Sequence, residues 1–265
     1  MSLIIGGNSI SASGANSGGE IKSFYNFPTD GLVMDLNANN YQGGSSTWCD
    51  SVYGMCFNSR NSGEPYTTTP TPKVWVSSVP AIAFNGQSWW ESANSTMNNR
   101  VDLRGAFTLV LIYWFPSNSA RHNLFDKSGT SYQSYQQELA CTWEVANQMS
   151  WYRAGGQDGT YDYANTKVYT LNNWNFIAIK GTANHQAGYY FDSSSGWVYD
   201  YGNRSDTNIL QASTVKVGNG YTGIMEVGYL HSCMVWNVDL NSTRINEVYN
   251  YYNNLFNQMG VTLYA

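Results

Sequence analysis

Hydrophobic positions in this chain recur mostly with a period of two, and in one stretch only with a period near 3.6. Residues 106–115 (AFTLVLIYWF) are apolar on both strand faces, so this strand is expected to lie centrally in a sheet covered on both sides. Residues 174–180 (WNFIAIK) alternate Phe176 and Ala178 against Ile177 and Ile179. Shorter strands are expected at 31–36, 74–76, 81–85, 88–91, 123–127 and 214–218. Asn85-Gly86 reads as a tight hairpin turn between two of them. Residues 138–145 and 148–153 read as a hairpin through Ala146-Asn147, and Asp158-Gly159 marks another turn. Residues 188–192 and 196–201 read as a hairpin about Ser193–Ser195.

The helical period belongs to residues 242–259. It follows a strand at 224–237 and a polar turn at 238–241. Ile245, Val248, Tyr249, Tyr252, Leu255, Phe256 and Met259 form one apolar stripe, leaving Asn246, Asn250, Asn253, Asn254 and Asn257 outward. Asn241 or Ser242 is placed to cap the N-terminus, and Gly260 sits where a helix stop is expected. About a dozen short strands with regular turn signals, closed by one helix, predict an all-β sandwich or jelly roll. Residues 24–265 read as one domain. Residues 1–23, small and Gly/Ser-rich after the apolar Leu3, Ile4 and Ile5, read as a flexible arm or anchor.

Composition narrows the function. Of 265 residues, 42% are hydrophobic and 15% aromatic, enough for a substantial core, while only 12% are charged. A net charge of -5 without a basic cluster gives no electrostatic support for nucleic-acid binding. No apolar run is long enough to span a membrane. The start of the chain lacks the basic and apolar regions of a secretory signal, so release by lysis is expected for a protein that acts outside the cell. Cys49 and Cys56 are spaced to close a small loop, but the low cysteine count favours four reduced, packed thiols.

Several segments, read in order, resemble the concanavalin A-like lectin/laminin G-like sandwich. The version they are most similar to is the one in bacteriophage virion structural proteins. They are GLVMDLNANNY (31–41), TWCDS (47–51), AIAFNGQSWWES (81–92), FTLVLIYWF (107–115), LFDKSG (124–129), WNFIAIK (174–180), VKVGNGYTG (215–223) and MVWNVDLNSTRINEVYNYY (234–252). The chain departs from the family pattern at Cys49–Cys56 and at Phe191-Asp192, both read as loops. The resemblance implies a concanavalin A-like antiparallel β-sandwich with an N-terminal arm and one C-terminal helix. It also implies a non-enzymatic virion protein on the outside of capsid or tail, assembled in the host cytoplasm. The arm would bind other virion proteins, and the protein would form a homo-oligomer, taken as a trimer. The alternatives are a carbohydrate-binding adhesin that recognises host surface glycans, and a glycan hydrolase.

Glycan binding needs an aromatic face with polar groups at its edge. The candidates are Trp89 and Trp90 (adjacent, so on opposite faces with at most one buried), Trp151, Tyr152, Arg153, Tyr161 and Tyr163. Trp197, Tyr199 and Tyr201 repeat at period two. Hydrolysis needs two carboxylates flanking one bond. Glu138 and Glu144 are too far apart along one strand, Glu226 stands alone in its strand and Glu91 ends one, so no catalytic residue is expected. His231 and Cys233, two apart, are expected on one face, as a weak metal pair or as a packed histidine over a thiol. Asp158, Asp162, Asp200 and Asp206 are weak calcium candidates, and no other cofactor is expected.

Overall fold

The computed structural model describes residues 4–5, 8–9, 27–61, 72–86, 88–92, 95–116, 122–128, 137–144, 148–155, 160–182, 187–199, 214–218 and 227–265. In chain order the strands are β1 Ile4–Ile5, β2 Asn8–Ser9, β3 Leu32–Asn37, β4 Thr47–Cys49, β5 Cys56–Asn61, β6 Lys73–Val76, β7 Val79–Asn85 and β8 Ser88–Ser92. After the short helix α1 (Ser95–Arg100) come β9 Phe107–Trp114, β10 His122–Ser128, β11 Gln137–Glu144, β12 Gln148–Gly155, β13 Thr160–Val168 and β14 Trp174–Gly181. They continue with β15 Ala187–Asp192, β16 Gly196–Tyr199, β17 Thr214–Val217 and β18 Val227–Trp236. The helix α2 (Ser242–Gln258) and β19 Leu263–Tyr264 close the chain.

Two sheets form the sandwich. One has the order β13-β12-β11-β10-β17-β8-β5-β4; the other runs β16-β15-β14-β9-β18-β7-β6, with β3 beside β18 and β19 beside β14. All pairs are antiparallel except the two-residue contact of β19 with β14. Among the described residues β1 pairs with β2 alone, so Ile4 and Ile5 of the expected anchor form a two-stranded unit, and Leu3 lies outside the described residues.

The expected central strand is β9, hydrogen-bonded to β14 on one side and β18 on the other. Phe107, Leu109, Leu111 and Tyr113 enter the core between the sheets, with Phe57, Trp90, Phe125, Leu139 and Val217. Val110 and Ile112 point the other way and pack beneath α2 with Phe176, Trp174, Met234 and Trp236. Alternation on a strand buried on both faces therefore builds two cores from one sequence run.

The helix supplies the second layer with Ile245, Val248, Tyr252 and Phe256, all buried. Its N-cap is Asn241, whose side chain accepts from the Arg244 N–H at 3.0 Å. At the other end Gly260 has φ +73°, Val261 N–H reaches Phe256 O at 2.9 Å and Gly260 N–H reaches Asn257 O at 3.0 Å. That is a Schellman closure, which requires the left-handed residue that glycine supplies.

Three expectations fail here. Asn85-Gly86 does not make a hairpin: β7 belongs to one sheet and β8 to the other, so the turn carries the chain across the sandwich. A turn signal specifies a reversal, but the partner of each strand is set by tertiary pairing. His231 and Cys233 lie on opposite faces. The β18–β9 register slips between Leu230 and Ser232, and this bulge turns His231 towards Trp174, Tyr252 and Phe256, while Cys233 enters the inter-sheet core. Finally, Cys49 and Cys56 are not packed thiols but a disulfide across the β4–β5 pair; Cys141 and Cys233 are buried thiols outside that disulfide.

The face under α2 is not wholly apolar. Asp35, fully buried, accepts from Ser51 Oγ at 2.7 Å, and desolvation pushes its carboxyl up to about 6. Asn37 donates to Ser232 Oγ at 3.2 Å. His231 Nδ1 bonds Pro80 O at 2.8 Å, and burial pushes the imidazole down to about 4. The histidine side chain thus occupies the Pro80 carbonyl beyond the last backbone pair of the β7–β18 ladder, Leu230 with Ile82.

Candidate functional site

Adjacent residues on the α2 face of the β16-β15-β14-β9 edge form cross-strand rows. Thr108 pairs with Lys180, Lys180 with Tyr189, and Tyr189 with Tyr199. Two residues along, Val110 pairs with Ala178 and Phe191 with Trp197. The second row lies under the helix: Phe191 is fully buried, its ring 5.7 Å from Tyr249 and 5.6 Å from Phe176. α2 begins beside Gly196, so the first row is left without a helical cover.

In that row the Tyr189 and Tyr199 rings lie 4.9 Å apart, and Tyr199 is 48% exposed. The Lys180 ammonium sits 5.2 Å from the Tyr189 ring centre and 4.9 Å from that of Trp197. Partial burial pulls the Lys180 pKa down, against the opposing charge of Asp239. Trp197 is oriented by its Nε1–H, which donates to Leu240 O at 2.7 Å. Thr108 ties the neighbouring turn: its hydroxyl donates to Val238 O at 2.9 Å and accepts from Leu240 N–H at 2.9 Å. Exposed Val238 and Asp239 thus edge an aromatic surface carrying a cation and a carboxylate.

The rim continues on the other side of this turn. Asn237 Nδ2 donates to Arg100 O at 2.6 Å. The Arg100 guanidinium lies 3.8 Å over the ring of Tyr53, which is 49% exposed. Tyr53 stands on the loop closed by Cys49–Cys56. Inside that loop the Asp50 carboxylate accepts from Val52 N–H at 2.8 Å and Met55 N–H at 3.0 Å, with longer contacts from Tyr53 N–H at 3.3 and 3.4 Å. The loop is wound on a buried acid and tied at its ends.

The predicted residues fare unevenly. Trp90 is core, packed edge-on against Tyr41 and Trp48. Trp89 is also buried, its Nε1–H on Glu91 at 3.3 Å, so the expectation that at most one of the pair is buried fails and neither ring is a platform. Alternation assigned the two tryptophans opposite faces, but it does not report what covers the outer one. On β12 and β13, Tyr152 pairs with Tyr163, Arg153 with Asp162, Trp151 with Ala164 and Ala154 with Tyr161. The register brings these strands together, but the side chains of Trp151, Tyr152, Arg153, Tyr161, Tyr163 and Asp162 lie outside the described residues. So do Asp158, Asp200, Tyr201, Asp206 and Glu226. Among the described residues no group of three or more His, Cys, Asp or Glu is placed to hold a metal ion.

The carboxylates are engaged elsewhere. Glu138 is fully buried, with Lys127 Nζ at 2.8 and 2.9 Å and Leu103 N–H at 2.8 Å. Glu91 is held by Trp89 and faces Arg60 at 3.8 Å. Sequence reasoning found Trp197 and Tyr199 but not Tyr189 or Lys180, which join them only through cross-strand register.

The fold is an antiparallel β-sandwich of two sheets with one helix packed on its face. No family model and no curated protein sequence matches the chain. Solved structures do. It is similar to botulinum neurotoxin type C, in a study of cell entry dependent on two ganglioside molecules (10% identity, 83% of this chain, 51% of that one, TM-score 0.58). It is similar to the binding domain of botulinum neurotoxin DC in complex with rat synaptotagmin II (12% identity, 84% of this chain, 52% of that one, TM-score 0.57). It is also similar to Trypanosoma rangeli sialidase in complex with sialic acid (14% identity, 84% of this chain, 33% of that one, TM-score 0.55). The chain spans about half the length of the toxin chains and a third of the sialidase, and at these identities it shares their fold.

Proposed function

We propose that this domain is a non-catalytic carbohydrate-binding module whose binding surface includes the uncovered row Lys180, Tyr189 and Tyr199. The observation that carries the reading is the gap in the helical cover. An exposed Tyr199 stands against a half-buried Tyr189 where Phe191 of the adjacent row is sealed, with Trp197 fixed beside them and Lys180 and Asp239 at the edge. Stacked rings flanked by donors and acceptors suit the CH faces and hydroxyls of a sugar. Similar solved folds include a neurotoxin whose cell entry depends on two ganglioside molecules and a sialidase in complex with sialic acid, which supports the class of ligand. Binding without turnover is supported by Glu138, whose oxygens are committed to Lys127 and Leu103 in the core.

In this reading the module acts on the outside of a virion. Residues 1–23 join it to the particle, and copies arranged as a trimer add avidity to weak single sites. That setting is supported by the segment order that resembles phage virion proteins. A glycan array probed with the protein displayed multivalently tests the function. Binding is expected for the native protein and should fall at least tenfold for Tyr189→Ala/Tyr199→Ala. No binding at millimolar sugar, or binding unchanged in the double variant, overturns the assignment to this row.

A further inference from the structure

We infer that the rim reads an anionic group, and that Arg100 on Tyr53 is the contact that reads it: the glycan is an acidic saccharide bearing a carboxylate or a sulfate. This rests on the glycan-binding reading and names the class of glycan.

Arg100 is set apart from the other arginines whose side chains are described. Arg60 faces Glu91 at 3.8 Å, Arg104 contacts Asp102 at 2.7 Å, and Arg244 contacts Glu247 at 3.1 Å and Asp30 at 3.7 Å. Arg100 faces no carboxylate among the described residues; its guanidinium rests on an aromatic ring. The acid nearest in sequence to Tyr53 does not neutralise it, because both oxygens of Asp50 are taken by backbone N–H groups of its own loop. A guanidinium in contact with a ring keeps its N–H donors for a ligand while losing little freedom on binding, and its planar fork matches carboxylate and sulfate oxygens.

The support beneath the pair is rigid. The disulfide closes the loop, Asp50 fills it, and Ser51 anchors it to Asp35 through both its N–H (2.9 Å, to the backbone) and its hydroxyl (2.7 Å, to the carboxylate). Arg100 is fixed at its carbonyl by Asn237, in the same turn that edges the tyrosine row. The turn from Asn237, which holds Arg100, to Leu240, which holds Trp197, separates the two contacts by only four residues of chain. The protein's net charge of -5 offers polyanions no general attraction, so any preference for acidic glycans must come from a local cation of this kind.

The test measures binding of the native protein to polygalacturonate, hyaluronate and dextran sulfate, beside methyl-esterified polygalacturonate and dextran. The native protein is expected to bind an acidic probe at least tenfold more tightly than its neutral counterpart. Arg100→Gln should abolish that preference while leaving neutral binding within about twofold, Arg100→Lys should keep part of it, and Tyr53→Ala should weaken both members of a pair. The melting temperature of Arg100→Gln confirms folding. If Arg100→Gln keeps the native preference while Tyr189→Ala/Tyr199→Ala still abolishes binding, the inference is wrong and the glycan-binding reading stands. Binding of neutral probes alone also overturns the inference only. If no probe binds, both fall.

Discussion

Two neighbouring rows on one face of one sheet have different fates. Phe191 is closed over by Tyr249, with half-buried Trp197 beside it at the start of α2; two residues away on the same strands, Tyr189 is half-buried and Tyr199 is exposed. All four are aromatic, and strand propensity does not distinguish them. What separates them is where the helix starts. Asn241 caps α2 level with Gly196, and the chain before it, Val238–Leu240, is tied to Thr108 and Trp197 as an extended edge rather than a further turn of helix. Scaffold and candidate site thus differ by one capping residue, and substitutions that treat the rows differently test the distinction.

The largest effect is expected in the sealed row. Phe191→Ala removes a fully buried ring that touches Phe176, Trp197 and Tyr249, leaving a cavity that the surrounding aromatics cannot fill. A loss of about 3–5 kcal/mol is expected in urea unfolding. Glycan binding should weaken as well, since Trp197 loses its support.

A second effect probes the polar groups that the same helix covers. Asp35 has its carboxyl raised from 3.8 to about 6, so between these values the native state keeps a proton that the unfolded chain releases, and stability falls as pH rises through that window. His231 is lowered from 6.5 to about 4, so the unfolded chain takes up a proton first, and stability falls as pH drops through that window. Each contribution is on the order of 3 kcal/mol. They oppose one another, so the native protein should unfold with nearly constant stability between about pH 4 and 6. Asp35→Asn should expose a stability that rises with pH there, and His231→Gln one that falls. Parallel profiles for the two variants would show that these groups do not titrate as a buried pair of opposite sign.

The sealed half of the molecule was largely legible from residue patterns, because it obeys local periodicity. The apolar run of β9 announced a strand covered on both faces, and the 3.6-residue stripe of α2 named the residues that cover it. Departures came wherever a partner distant in sequence decides. The Asn85-Gly86 turn crosses between sheets, the bulge at His231 reverses its face, and Trp89 and Trp90 are both buried although alternation allowed at most one of them a buried face. The open row was half legible. Trp197 and Tyr199 stood out at period two, but Tyr189 and Lys180 enter only through the β14–β15–β16 register, and Arg100 reaches Tyr53 only because the disulfide loop and α1 meet at the rim.

The smallest stability effect is expected in the open row, and it separates the rows most sharply. Tyr199 lies on the edge strand β16, is 48% exposed, and contacts the Tyr189 ring at 4.9 Å. Removing an exposed ring from an edge strand leaves no buried cavity, so Tyr199→Ala should change unfolding free energy by no more than about 1 kcal/mol. Its cross-strand aromatic pair with Tyr189 contributes on the order of 0.2–1 kcal/mol, and Tyr189 stays supported by Lys180 on its other side. A glycan that stacks on both rings loses half of its platform, so its affinity should still fall severalfold. Denaturant unfolding and glycan titration of this one variant give the comparison directly. A stability loss as large as that of Phe191→Ala would mean that the two rows are one core and that Tyr199 belongs to the scaffold.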